Sequence, residues 1–249
     1  MSDQKAKSDA SISLDMAERA GHHTGNPQSL NTRLFMQLLV YHCEREIDPT
    51  EAVQALATRM RSVACPVVIY ADMANPRGLG VLTYGEDPSV FVAALRGALA
   101  SAPLSGLTQR PDMTMIGRTY ATGYEPDLRY YLLDRPHQTV QNPAWPWAVW
   151  YPLRRSGAFA QLPPHEQGSI LREHATIGRA YGDQDLAHDV RLACHGIDAA
   201  DNEFVVGLLG KDLHPLSHVV QAMRKTRQTS EFISQMGPFF VGRALVQQA

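Results

Sequence analysis

Cysteine is scarce and scattered: Cys43, Cys65 and Cys194 are the three in 249 residues. An odd number at wide spacing makes neither a disulfide framework nor a zinc box, and fits a reducing compartment. Charge imbalance is missing too. With 23 Lys and Arg against 25 Asp and Glu, the net charge is -2, so no global field recruits nucleic acid or an anionic membrane. No apolar run approaches the roughly 18–20 residues of a membrane span, and the polar N-terminus has no signal-peptide apolar core. Gly78-x-Gly80 leads into a strand rather than a helix, which excludes a dinucleotide loop. A soluble, cytoplasmic protein is expected.

What is present is an ordinary globular core, 44% hydrophobic, laid out as one pattern used twice. Residues 1–31 are rich in Ser, Asp, Lys, Gln and Gly, lack apolar periodicity, and read as a mobile tail. Residues 32–140 open with the strand RLFMQLLVY (Arg33–Tyr41). Asp48-Pro49 then starts a helix running to about Arg61. PVVIYA (Pro66–Ala71) and GLGVLTYG (Gly78–Gly85) are strands on either side of the Asn75-Pro76 turn. Asp87-Pro88 starts a second helix, and MTMIGRTYA (Met113–Ala121) returns as a strand. Residues 141–249 repeat the order. The strand WAVWYPL (Trp147–Leu153) is followed by a helix from about Pro163 to Ala180, then strands VRLAC (Val190–Cys194) and EFVVGLL (Glu203–Leu209). A helix over roughly Pro215–Lys225 and the closing strand PFFVG (Pro238–Gly242) complete it. Each half is β-α-β-β-α-β, the ferredoxin-like order, and a tandem pair of such α+β domains would place two antiparallel sheets back to back or edge to edge, with helices on the outer faces.

Three residues of the second half could carry chemistry. His174 lies between Ile170 and Ile177, so its imidazole projects from the apolar face of the helix. Such a histidine is either a hydrogen-bonded core residue or a neutral ligand facing a dry cavity. By strand alternation Val190, Leu192 and Cys194 face one side and Arg191 and Ala193 the other. Arg191 is then either a solvated surface group or a fixed cation. Tyr151 is either packing with a satisfied hydroxyl or a reactive phenol. His214 and His218, at i and i+4, lack a third ligand and read as surface or capping groups. His22-His23 reads as incidental, and Trp145, Trp147 and Trp150 read as a linker cluster with first-strand core.

YPLRR, EHATIGRAYG, HDVRLACHGIDAADNEFVVGL, VVQAMRKTRQTSEF and GPFFVG together resemble the chlorite dismutase and coproheme decarboxylase family. The resemblance implies a dimeric α+β barrel with a porphyrin in the C-terminal half only, and a homo-oligomer, often a ring-shaped pentamer. It implies haem b or iron coproporphyrin III as cofactor, with His174 as the iron's proximal ligand and Arg191 on the distal side, holding an anionic oxidant such as chlorite or polarising peroxide. Tyr151 matches the oxidisable tyrosine of the decarboxylases' Tyr-Pro-Met-x-Lys motif, here with Leu153 for Met and Arg155 for Lys. Arg155, Arg135, Arg224 and Thr229 would meet the porphyrin carboxylates. Where oxygen-evolving dismutases carry a tryptophan pair and a proximal glutamate, this chain has Phe159, Ala160 and Gln228. A neutral glutamine draws the imidazole less towards imidazolate. The resemblance therefore implies a haem-dependent oxidoreductase closest to a coproheme decarboxylase. Chlorite breakdown and a non-catalytic porphyrin carrier or sensor are the alternatives.

Overall fold

A computed structural model describes residues 14–22 and 25–249. Strands β1 (Glu18–Ala20) and β2 (Gln28–Leu30) pair antiparallel. The N-terminal half then runs β3 (Phe35–Cys43), α1 (Pro49–Ser62), β4 (Val67–Asp72), β5 (Gly78–Gly85), a π-turn Phe91–Leu95 entering α2 (Arg96–Leu99), β6 (Leu107–Gln109) and β7 (Met115–Arg118). A second π-turn, Tyr130–Asp134, enters α3 (Arg135–Gln141). The C-terminal half runs β8 (Trp147–Arg155), α4 (Pro164–Asp183), β9 (His188–Ala193), β10 (Phe204–Gly210), α5 (Leu213–Met223), a π-turn Gln228–Phe232, β11 (Ile233–Met236) and β12 (Phe240–Gln248).

The strand order is 4-1-3-2 in both halves: β7-β3-β5-β4 and β12-β8-β10-β9. Antiparallel pairs β4–β12 and β7–β9 join the halves, so the sheet closes into an eight-stranded barrel with β6 and β11 on its rim. Closure leaves few free sheet edges. The expected tandem ferredoxin-like, α+β barrel is the observed architecture.

Strand alternation divides the side chains into an interior and two outer faces. Met36, Leu38 and Val40 of β3 point into the barrel with Trp150 of β8, Leu192 of β9 and Phe240 of β12. Two large rings fit there because glycine faces them: a Cβ on Gly207 would lie 2.5 Å from the Trp150 ring, and one on Gly80 would lie 2.3 Å from Phe240. The outer N-terminal face, with Leu39, Tyr41, Ile69 and Val81, is sealed by α1 through Ala52, Val53, Leu56, Ala57 and Met60. That helix starts as expected at Asp48, whose carboxylate accepts the Thr50 amide at 2.6 Å, with Pro49 in the first turn.

Four local expectations need correction. Residues 18–20 and 28–30, expected in a mobile tail, form a hairpin that buries Ala20, and Glu18 pairs with Arg118 at 3.2 Å and accepts the Ala121 amide. Polar side chains hide that pairing from any hydrophobic pattern; residues 1–13 and 23–24 lie outside the described set. The second helix of the first half is only a π-turn with four helical residues after it. Strand β7 covers four residues of the nine expected, because Pro111–Met113 form a short 3-10 turn before it and its pairing with β3 ends at Thr119, which bonds Leu34. The last strand runs on to Gln248, drawn out by pairing with β4. No described helix is long and apolar enough to cross a membrane.

Candidate functional site

The site is built on the outer face of the C-terminal half. Register sets Tyr151 on β8, Val206 on β10 and Arg191 on β9 side by side across three strands. Asp189 lies two residues before Arg191, one row along on the same face. Tyr151 is buried and stacks on Phe239, centroids 4.7 Å apart at 23°. Burial pushes its phenol above the ordinary range, Asp189 adds to that, and Arg224 opposes it.

Helix α4 covers this face without filling it. Of its twenty residues only Ile170 is buried. Along it Ile170 packs with Phe159 and Phe232, Tyr181 bonds His218 of α5, and the Glu173 carboxylate accepts the Arg227 amide at 3.1 Å. Beneath it Leu153, Val206, Met223, Met236 and Phe239 are only partly covered. His174 projects from α4 and its Nδ1 is buried without a hydrogen-bond partner. Burial lowers its pKa, and the Arg191 charge lowers it further against Asp189 and Glu173, so the imidazole is neutral at pH 7. Gln228 Oε1 is likewise buried and unpartnered. It follows directly on Arg227, as His174 follows on Glu173, so the Glu173–Arg227 bond ties together the two backbones that carry the orphaned donor and acceptor.

The cations are distributed unevenly. Arg191 Nε meets Asp189 Oδ2 at 2.9 Å, and Arg135 reaches across from α3 to Asp189 Oδ1 at 2.6 Å. Burial would raise the Asp189 pKa, but Arg191 and Arg135 hold its carboxyl below the ordinary value. Arg155 is committed to Glu203 at 2.7 Å and stacks over Phe159 at 4.2 Å and Phe204 at 5.1 Å. It borders a cleft of about 420 Å³ with Arg154, Gln167, His195 and Asn202, and neither His174 nor Tyr151 lines that cleft. Arg224, at the end of α5, is exposed, and its guanidinium makes no hydrogen bond or ion pair among the described residues. Thr229 Oγ1 accepts from Thr226 Oγ1 at 3.3 Å.

Of the residues singled out in the sequence, His174, Arg191, Tyr151, Arg224 and Gln228 thus lie around one helix and the sheet face beneath it. Arg155 and Arg135 stand at its margins, each already paired. The partners Asp189 and Glu203, and the ring of Phe239, were missed. Asp189 was legible by the same two-residue alternation that placed Arg191, had the strand been started at His188. Trp145 stacks on His188 at 3.5 Å, and Trp150 is barrel core. Among the described residues no cluster of three His, Cys, Asp or Glu could hold a metal by itself.

The family model described as chlorite dismutase matches residues 84–245. The chain belongs to the chlorite dismutase family. The matched segment takes in all of the C-terminal face described above and the last strands of the N-terminal half. Among solved structures, a novel heme-binding protein from Thermus thermophilus superposes with a TM-score of 0.68 at 20% identity, over 86% of this chain and 92% of that one. A chlorite dismutase variant from Candidatus Nitrospira defluvii in complex with cyanide gives 0.67 at 14% identity, over 86% and 91%. At such identities the likeness is one of fold. Comparison with curated proteins finds no match.

Proposed function

We propose that the chain holds an iron porphyrin, haem b or iron coproporphyrin III, between α4 and the C-terminal sheet. There it acts as an oxidoreductase driven by peroxide or a related oxidant. In its most specific form the reaction is oxidative decarboxylation of iron coproporphyrin propionates. The observation that carries this reading is the standing-off of α4: one buried residue in twenty, above a half-covered apolar face. A planar apolar ligand fits such a face. The description of the Thermus thermophilus neighbour as heme-binding supports the same cofactor class.

The donor set fits too. A neutral imidazole is what an iron porphyrin requires of a proximal ligand, so His174 would hold the metal through Nε2, leaving the unpartnered Nδ1 to carry the proton. Gln228 Oε1 would accept the Nδ1–H and fix the ring's orientation, drawing less on the imidazole than a carboxylate does. Bound, the iron porphyrin supplies the oxidising chemistry that side chains lack. Arg191 would hold an anionic oxidant, or steady charge on a peroxide oxygen. Tyr151, kept protonated by burial, would give up its electron and proton together. Arg224 and Thr229 would meet the carboxylates. Arg155 and Arg135 would do so only by exchanging Glu203 and Asp189 for them. Assembly into a homo-oligomer, a pentamer in the strict form, belongs to the same proposal.

Incubation with iron coproporphyrin and peroxide, followed by mass measurement of the porphyrin, tests it. Loss of carboxyl groups is expected, and Tyr151→Phe should stop the loss while leaving binding intact. An unchanged mass over many equivalents of oxidant removes the decarboxylase. Chlorite breakdown is the second reading, favoured by Arg191 and opposed by Gln228; sustained oxygen evolution from chlorite would select it. Reversible uptake with no turnover would select a carrier, a reading favoured by the prior pairing of Arg135 and Arg155.

A further inference from the structure

Asp189 is shared by two arginines from opposite halves of the chain. Arg135 comes from α3, and Arg191 from the same strand two residues on. The contact to Arg191 is made through Nε, at 2.9 Å. Among the described residues neither terminal NH2 group of Arg191 makes a hydrogen bond, while Tyr120, Glu125 and Tyr131 lie within reach of its charge. A guanidinium held by an ion pair at Nε keeps its charge and its outer donors while its swing is restricted. Fixing a donor before its ligand arrives removes an entropic cost from binding. The grip is itself held, because Arg135 takes the other oxygen at 2.6 Å and lies over the Tyr131 ring at 5.7 Å.

We propose that Asp189 is a positioning residue. It clamps Arg191 by Nε and braces it against Arg135, so that the two terminal NH2 groups of Arg191 are presented to the anionic oxidant. This rests on the porphyrin reading above and adds a residue to it. The clamp crosses between the halves, and gives residues 32–140 a part in the site: α3 positions a group on β9.

Two measurements separate the clamp from that reading. In the porphyrin-free protein, arginine side-chain NMR follows the Nε–H of Arg191. Its order parameter should be high in the wild type, low in Asp189→Ala and high again in Asp189→Glu; equal order parameters in the wild type and Asp189→Ala overturn the clamp, whatever the cofactor. In the porphyrin-loaded protein, cyanide binding is followed by the Soret shift. Asp189→Ala should weaken binding about tenfold, mainly through faster dissociation, and the effect should vanish in an Arg191→Ala background. Binding as tight as or tighter than wild type would mean that the carboxylate opposes the cation, and overturns the proposal. Failure of the wild type to take up porphyrin at all sinks the porphyrin reading instead, and the NMR result still decides the clamp.

Discussion

The two halves of the barrel share strand order and helix placement, and differ in how the helix after the first strand meets its sheet. Helix α1 buries five of fourteen residues and closes the N-terminal face. Helix α4 buries one of twenty, Ile170 against Phe159 and Phe232, and is held besides by Tyr181–His218 and Glu173–Arg227. Packing of the first kind makes a dry interface worth roughly 25 cal/mol per Å² of apolar surface. Packing of the second kind leaves apolar surface half-wet, beside the unpaired His174 Nδ1 and Gln228 Oε1; unpaired atoms alone do not set it apart, since Thr83 Oγ1 in the N-terminal half is buried without a partner too. Proteins seldom keep such costs without a use. On the proposed reading, the difference puts the porphyrin in one copy of a repeated unit, while the other seals its own face and lends Arg135 to the margin.

Breaking the sealed side should cost most. Leu56→Ala, at a fully buried α1 position, should lower stability by about 2–5 kcal/mol in urea unfolding. A loss no larger than that from equivalent truncations on α4 would erase the contrast. Next comes the barrel interior that both halves share. Gly207→Ala drives a methyl into the Trp150 ring and should cost about 1–3 kcal/mol by the same measurement. On the open side, Ile177→Ala should cost less than about 1 kcal/mol in the porphyrin-free protein and more once porphyrin is bound.

The smallest effect is one of pH. The folded-state pKa of His174 lies below its unfolded value of about 6.5, because burial, helped by Arg191, disfavours the charged form. The unfolded chain therefore binds the proton first. The porphyrin-free wild type has its full stability above about pH 6.5 and loses part of it as pH falls from there towards the folded pKa. His174→Gln should flatten that slope in chemical unfolding between about pH 6.5 and 5. A slope unchanged by the substitution would place the imidazole in solvent.

Most of the fold was legible because its carriers are periodic. The alternation in RLFMQLLVY and WAVWYPL, and the Asp-Pro start of α1, mark strands and helix directly; the repeat of the order marked two like units, and the family resemblance supplied their closure into a barrel. The β1–β2 hairpin was not legible: polar side chains around the single buried Ala20, and an ion pair to Arg118, leave no apolar pattern. In the site, helical spacing and strand alternation assigned the faces of His174 and Arg191. The loose seating of α4 was invisible, since its apolar spacing would suit a sealed helix equally well. The pairing of Arg135 and Arg191 through Asp189 was hidden for another reason. It joins positions 54 residues apart in one case and two in the other, and only the register of β9 against α3 brings them together.

The central claim is that α4 stands off its sheet to admit a porphyrin whose iron binds His174. Titrating iron porphyrin into the wild type and His174→Ala, with the Soret band and α4 hydrogen exchange recorded together, tests it most directly. The account predicts a saturating Soret shift and slowed exchange across Pro164–Asp183 in the wild type, with α1 unaffected, and neither response in the variant. Identical Soret spectra in the two proteins, or protection that falls on α1 instead, would contradict it.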